Sequence, residues 1–176
     1  DPLPQAASVL ISDLPVKLQV SGPWNVRFTP GRGAPGQAVF PELISLAKHG
    51  DPGIRHFSGA AFYEQQFVMP SVTTGERIIL DLGQVAVMAS VKLNGRDLGV
   101  VWKEPYAIDV TEVQRPGRNK LEIRVVNTWV NRLIADSALP EEKRITWATW
   151  SSFKPADPLV PSGLLGPVVL RTRTNP

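Results

Sequence analysis

At 176 residues the chain is of single-domain size and long enough to bury a core that needs no covalent staple. The absence of cysteine excludes disulfides and cysteine-ligated metals and leaves the redox compartment open. Its 19 Lys and Arg against 16 Asp and Glu leave a net charge of +3, too scattered, even at Lys143-Arg144 and at Arg171 and Arg173, to form a nucleic-acid arm. No apolar run approaches a membrane span and the amino end lacks a signal-peptide pattern, while an opening Asp1 in place of Met is expected of a chain processed or cut from something larger. The 17 prolines and 14 glycines suit short strands joined by long loops better than helices.

Residues 1–15 read as a linker or edge strand, with strand character at Ser8 to Ile11, and residues 16–176 as one β-sandwich domain. Val16, Leu18 and Val20 alternate with Lys17 and Gln19; after Ser21-Gly22-Pro23, Trp24, Val26 and Phe28 alternate with Asn25 and Arg27. That spacing predicts a hairpin-like pair with Trp24 in the core. Thr29 to Gly36, TPGRGAPG, is a loop, because a phosphate cradle would run on into Lys-Ser or Lys-Thr and a helix. Pro41 to Gly50, PELISLAKHG, predicts the one short helix: Pro and Glu42 stand in the first turn, Lys48 and His49 in the last, and Gly50 stops it. Strands are predicted from Gly59 to Pro70 and from Arg77 to Leu82, with Ser71 to Glu76 between them.

The stretch from Leu80 to Asn127 has the strongest pattern. Val85, Val87, Ala89, Val91 and Leu93 fall on every second residue and are expected on one face of one strand before Asn94-Gly95 turns the chain. Tyr106, Ile108 and Val110 form the next inward set, and after Pro116-Gly117 come Leu121, Ile123 and Val125, with Glu122 and Arg124 facing water. Thr128 to Gly166 shows no clear element before a last strand at Val168 to Leu170. A connection of that length in a small domain is expected to serve a ligand or a partner.

Catalytic chemistry is thinly represented. His49 and His56 have no Ser or Cys in a nucleophile setting, and His49 is better explained as a cation at a helix end than as a triad member. Neither histidine has metal-ligand spacing. No cofactor is expected; structural calcium stays open, with Asp51, Asp109, Asp136 and Asp157 in loops or at strand ends but no ligand set to name. Asp136, Glu141 and Glu142 are the only carboxylates sharing a loop with aromatics, and solvated charge explains them better than a glycosidase pair. The remaining signal is aromatic: Trp102, Tyr106, Trp129, Trp147 and Trp150 are interleaved with Asn131, Arg132, Asp136 and Arg144. Flat rings beside hydrogen-bonding side chains suit a sugar, whose C–H face lies on a ring while its hydroxyls pair with polar groups. The competing reading is that the tryptophans pin a long loop onto the sheet, and burial of the rings decides between the two.

The strings FSGAAFYEQQFVMP, LDLGQVAVMASVKLNGRDLGVVWKEPYAIDV, NKLEIRVVNTWVNRLIAD and PSGLLGPVVL, with GPWNVRF upstream, resemble the sugar-binding jelly-roll domain of glycoside hydrolases. Within that group the chain most resembles the carboxy-terminal domain of the family 106 α-L-rhamnosidases and, more distantly, the amino-terminal sandwich of the family 2 β-galactosidases. The resemblance spans about Val16 to Leu170; Phe40 to Gly53 departs from it, carrying LAKHG where relatives carry a tryptophan. It implies an all-β, antiparallel β-sandwich of jelly-roll, galactose-binding-domain-like form. It also implies a non-catalytic accessory module of a bacterial polysaccharide-degrading enzyme, secreted or periplasmic. The expected partners are the catalytic domain of that enzyme and a plant or algal polysaccharide, rhamnose-containing ones included, with neither nucleic acid nor membrane. The alternatives are a structural module that packs on the catalytic domain without binding sugar and a free-standing enzyme. By position the ligand-facing loop is Asn127 to Ser162, and Trp102, Tyr106, Trp129, Asn131, Arg132, Asp136, Trp147 and Trp150 are the candidate ligand residues.

Overall fold

The period-2 runs fold as strands in the computed structural model, which describes residues 10–174. Most of the strand expected at Ser8 to Ile11 lies outside the described residues, and Ile11 opens a single 3-10 turn, Ile11–Asp13. The chain forms β1 (Val16–Gln19), β2 (Trp24–Phe28), β3 (Gln37–Phe40), α1 (Pro52–Arg55), β4 (Ala60–Met69), β5 (Glu76–Asp81), β6 (Gln84–Ala86) and β7 (Met88–Leu93). There follow β8 (Arg96–Val101), β9 (Ala107–Asp109), β10 (Gly117–Val126), α2 (Val130–Ser137), β11 (Gly163–Gly166) and β12 (Val169–Thr174). No helix among the described residues is long and apolar enough to cross a membrane.

Two main sheets make the sandwich. One has the order β3-β2-β4-β10-β7-β8 and the other β1-β12-β5-β9, while β11 and β6 pair at one end. All the strand pairs are antiparallel. One core lies between the sheets: Val26, Tyr63, Ala89, Val91, Leu121, Ile123 and Val125 from the larger sheet meet Ile78, Leu80 and Leu170 from the smaller and Val110 just past β9. Of these, Val26, Ala89, Val91, Val110, Leu121, Ile123 and Val125 belong to the predicted inward sets. Each large apolar side chain so buried contributes about 1.5–3 kcal/mol relative to leaving it in water. Glu122 and Arg124 alternate outward from the same strand, as its pleat requires.

The Asn94-Gly95 turn is a two-residue hairpin, with Leu93 opposite Arg96 and φ of 53° and 82° at the two central residues. Both values are positive, which the twist of a tight hairpin favours and few residues other than Asn and Gly tolerate. Asn94 also fastens the turn to its surroundings. Its Nδ2 donates to the Val113 carbonyl at 2.9 Å and to Asn119 Oδ1 at 2.8 Å, and its Oδ1 accepts from the Lys120 amide at 3.0 Å.

Several expectations fail for identifiable reasons. β1 does not pair with β2; it pairs with β12 across the other sheet, so Ser21-Gly22-Pro23 carries the chain between sheets while Trp24 is buried as expected. The run from Val85 to Leu93 is two strands, because β6 pairs with β11 whereas β7 pairs with β10 and β8, and Val87 at the break is 42% exposed. The helix predicted over Pro41 to Gly50 is absent. Leu46 is drawn into the core and its amide donates to the Ser162 carbonyl at 2.8 Å, so backbone polarity there is satisfied across the domain and only a 3-10 turn, Leu46–Lys48, remains. His49 accordingly caps nothing: its ring stacks on Phe40 at 5.0 Å and its Nδ1 accepts from the Asp51 amide at 3.0 Å. Helix forms instead at α1, where Asp51 Oδ1 accepts from the Ile54 amide at 3.1 Å, and at α2, inside the segment read as irregular.

Candidate functional site

The end of β10 is fixed before α2 begins. Asn127 Oδ1 accepts from the Gly59 amide at 2.8 Å and its Nδ2 donates to the Phe57 carbonyl at 2.8 Å, which joins the FSG stretch to the strand that launches α2. Along α2, Asn131, Arg132, Ile134 and Asp136 are buried, so much of the polar side of this helix turns inward. Asn131 lies against the backbone of Val160, donating to its carbonyl at 2.9 Å and accepting from its amide at 2.8 Å, much as a strand partner would. Arg132 Nη2 lies 3.0 Å from Asp136 Oδ1, one helical turn on.

Asp136 then holds the next segment. Its Oδ2 accepts from the Ile145 amide at 3.1 Å, the Thr146 amide at 2.8 Å and the Thr146 hydroxyl at 2.6 Å. Burial pushes this carboxyl up, but the Thr146 hydroxyl and amide, the Arg132 charge and the Ile145 amide together outweigh it and hold Asp136 below the usual carboxylate range. The sequence expectation placed Asn131, Arg132 and Asp136 at a ligand. All three side chains are buried: Asn131 bonds Val160, Asp136 Oδ2 bonds Ile145 and Thr146, and Arg132 pairs with Asp136, which also borders a cavity.

What reaches solvent is aromatic. Trp147 and Trp150 are 82% and 80% exposed, Trp102 is 65% and Trp129 41%. Trp129 and Trp147 line one cavity of about 410 Å³ together with Arg32, Leu133, Ile145 and Thr146. Trp150 lines a second, also about 410 Å³, with Asp136, Arg144 and Phe153. Leu133, Thr146 and Ala148 border both, so the two cavities lie on either side of one ridge. Trp102 and Tyr106 border neither. Lys103 Nζ sits 5.6 Å from the Trp102 ring, and Tyr106 packs on the core with its hydroxyl donating to the Val87 carbonyl at 3.3 Å.

Arg32 was not among the expected residues. It belongs to the TPGRGAPG loop, and its guanidinium carbon lies 4.6 Å from the centre of the Trp129 ring, within cation–π range. A solitary cation in a Gly- and Pro-rich loop is the only sequence signal it offers. The four aspartates considered for calcium are spread apart and engaged: Asp51 caps α1, Asp109 pairs with Arg77 and Thr111, Asp136 holds Thr146, and Asp157 accepts from the Lys154 amide. Among the described residues no group of three or more His, Asp or Glu is gathered as a metal ligand set.

Comparison with known proteins places this architecture. The putative β-glucuronidase of Formosa agariphila is 34% identical over 90% of this chain, which spans 16% of that protein. The rhamnosidase from Novosphingobium sp. PP1Y superposes with a TM-score of 0.87 over 98% of this chain at 39% identity, again using 16% of the larger chain. The β-glucuronidase of Ruminococcus gnavus shares the fold over 62% of the chain at a TM-score of 0.54. Residues 54–155 match the family described as glycosyl hydrolase 2 galactose-binding domain-like, and the chain belongs to that family.

Proposed function

We propose that this chain is a non-catalytic accessory module of a larger polysaccharide-degrading glycoside hydrolase and presents sugar with an aromatic surface made by Trp129, Trp147 and Trp150. The observation that carries the reading is the exposure of Trp147 and Trp150, at 82% and 80%, on a segment whose backbone is tied to Asp136. A ring held in water close to a tied stretch of backbone is accessible to the C–H face of a sugar. The chain spans 16% of the rhamnosidase and of the putative glucuronidase it resembles, which supports a catalytic domain elsewhere in the parent protein. Likeness to a rhamnosidase along 98% of the chain favours a rhamnose-containing plant or algal polysaccharide, and a polymer too large to cross a membrane favours a secreted or periplasmic enzyme.

The same exposure supports a second reading, in which Trp147 and Trp150 dock on the catalytic domain and no sugar is bound, because exposed rings on one ridge also suit a protein interface. Affinity electrophoresis through gels cast with plant and algal polysaccharides, run on the wild type, Trp129→Ala and Trp147→Ala, separates the two. Retardation of the wild type that weakens in both variants is expected. No retardation in any gel removes sugar binding and leaves docking.

A further inference from the structure

We propose that the sugar held between Arg32, Trp129 and Trp147 is anionic, a sugar whose carboxylate or sulfate ester is bound by the Arg32 guanidinium. This rests on the sugar-binding reading and names the ligand class of that site. The lining of the cavity carries the inference: Arg32, Trp129, Leu133, Ile145, Thr146, Trp147 and Ala148 include one charge, a cation, and neither a carboxylate nor an amide side chain. A neutral sugar presents hydroxyl hydrogens that need acceptors, and Asp, Glu, Asn and Gln are the side chains that supply them best. Here the side chains offer mainly donors, the guanidinium edge and two indole N–H groups; the Thr146 hydroxyl, whose own hydrogen goes to Asp136 at 2.6 Å, is the one side-chain acceptor left. A cavity rich in donors and poor in acceptors fits a ligand rich in acceptor oxygens and carrying negative charge.

Arg32 is also available. Among the described residues the ion pairs engage Lys17, Arg77, Lys120, Arg132 and Arg171, and Arg32 takes part in none of them. Its central carbon lies over the Trp129 ring, and its N–H groups have five donors to offer an oxyanion, while an ammonium in its place would lose the two-pronged contact. The loop behind it is set closely. A methyl group built on Gly33 would meet Ile145 Cδ1 at 2.9 Å and Arg132 Nη1 at 3.0 Å, so Arg32 is carried on backbone seated against the same segment that carries Trp147. Asp136 neutralises Arg132 within the domain, which leaves Arg32 as the cation facing the cavity.

The chain and its Arg32→Gln and Arg32→Lys variants are run by affinity electrophoresis against polygalacturonate, the same polymer after carboxyl reduction, a sulfated galactan and the desulfated galactan. Wild type retained by polygalacturonate, at least about tenfold more weakly by the reduced polymer, with about tenfold weakening in Arg32→Gln, is the expected result, the size of one charge-assisted contact. Arg32→Lys is expected to fall between the two, and thermal melting of each variant controls for folding. Preference for the sulfated over the desulfated galactan, without one for polygalacturonate, assigns the sulfate ester as the anion. Equal retention on charged and neutral polymers, unchanged in Arg32→Gln, overturns the anionic assignment and leaves sugar binding standing. Retention on no polymer overturns both.

Discussion

Asp136 and Thr146 meet twice: Oδ2 of Asp136 accepts the Thr146 hydroxyl at 2.6 Å and the Thr146 amide at 2.8 Å. One carboxylate on the buried side of α2 thereby fixes the backbone immediately before Trp147, and Arg132 fixes the carboxylate. Exposed rings and a rigid backbone coexist here because the rigidity comes from underneath.

Replacing Asp136 with Asn is expected to cost about 3–5 kcal/mol, since it leaves the buried Arg132 charge without its partner. Urea denaturation measures the cost, and hydrogen exchange at the Ile145 and Thr146 amides locates it. A loss below about 1 kcal/mol, with both amides as protected as in the wild type, would show that other contacts hold the segment.

Acid should release the same segment. The Asp136 carboxyl is depressed in the folded chain, so the native state binds fewer protons than the unfolded one around the ordinary carboxylate pKa of about 4. Its contribution is full above that value and is lost as pH falls through the lower, folded one. Asp109 is depressed as well, burial being outweighed by Thr111 and Arg77, and Glu76 is depressed chiefly by its hydrogen bond from Lys17. Denaturation midpoints measured from neutral pH down to about pH 2 should fall steeply in the wild type and less so in Asp136→Asn. Parallel curves would remove Asp136 from the acid limb.

Trp147→Ala and Trp150→Ala should each change folding stability by less than about 0.5 kcal/mol, because both rings stand in water and bury little. Their effect belongs to binding. A loss of about 3 kcal/mol or more in thermal or urea unfolding, the lower end for truncating a core aromatic, would mean that these rings pack on the domain.

The parts of the fold readable from sequence were those decided by neighbouring residues. Leu121, Ile123 and Val125 alternate and are buried, and Asn94-Gly95 turns as its dipeptide demands. The errors lie where distant residues decide. Leu46 has good helix neighbours, but its amide is taken by Ser162, more than a hundred residues away. Asn131, Arg132 and Asp136 look like surface polar groups, and only Val160 and Thr146, brought in by the fold, turn them inward. The Arg132 to Asp136 spacing, together with a stretch free of Gly and Pro around it, was the available sign of α2.

Asn94 carries two separable effects. Asn94→Gly keeps the positive φ of 53° accessible but loses the bonds to Val113, Asn119 and Lys120, at about 1–2 kcal/mol. Asn94→Ala loses the same bonds and adds backbone strain, a further 1 kcal/mol or so. The order wild type, Gly, Ala in urea denaturation is expected; Ala equal to or above Gly would mean that the backbone conformation there carries no cost.

Tyr63 ties the final strands to the core. Its ring is fully buried, its hydroxyl accepts from the Leu164 amide at 3.2 Å, and it packs edge-on against Phe40 at 6.4 Å between ring centres. Tyr63→Phe keeps the shape and removes the acceptor, so the expected cost is that of a buried donor left short of a partner, about 1–3 kcal/mol. Burial also pushes the phenol well above its ordinary value, against the smaller opposing effect of the Leu164 amide. The native state therefore keeps a proton that the unfolded chain sheds above about pH 10, and stability present below that pH is lost as pH rises. Wild type should lose stability more steeply than Tyr63→Phe between about pH 9 and 11, with Leu164 amide exchange faster in the variant at neutral pH. Equal alkaline limbs would place the Tyr63 hydroxyl in contact with water, and unchanged Leu164 exchange would show that the amide does not depend on it.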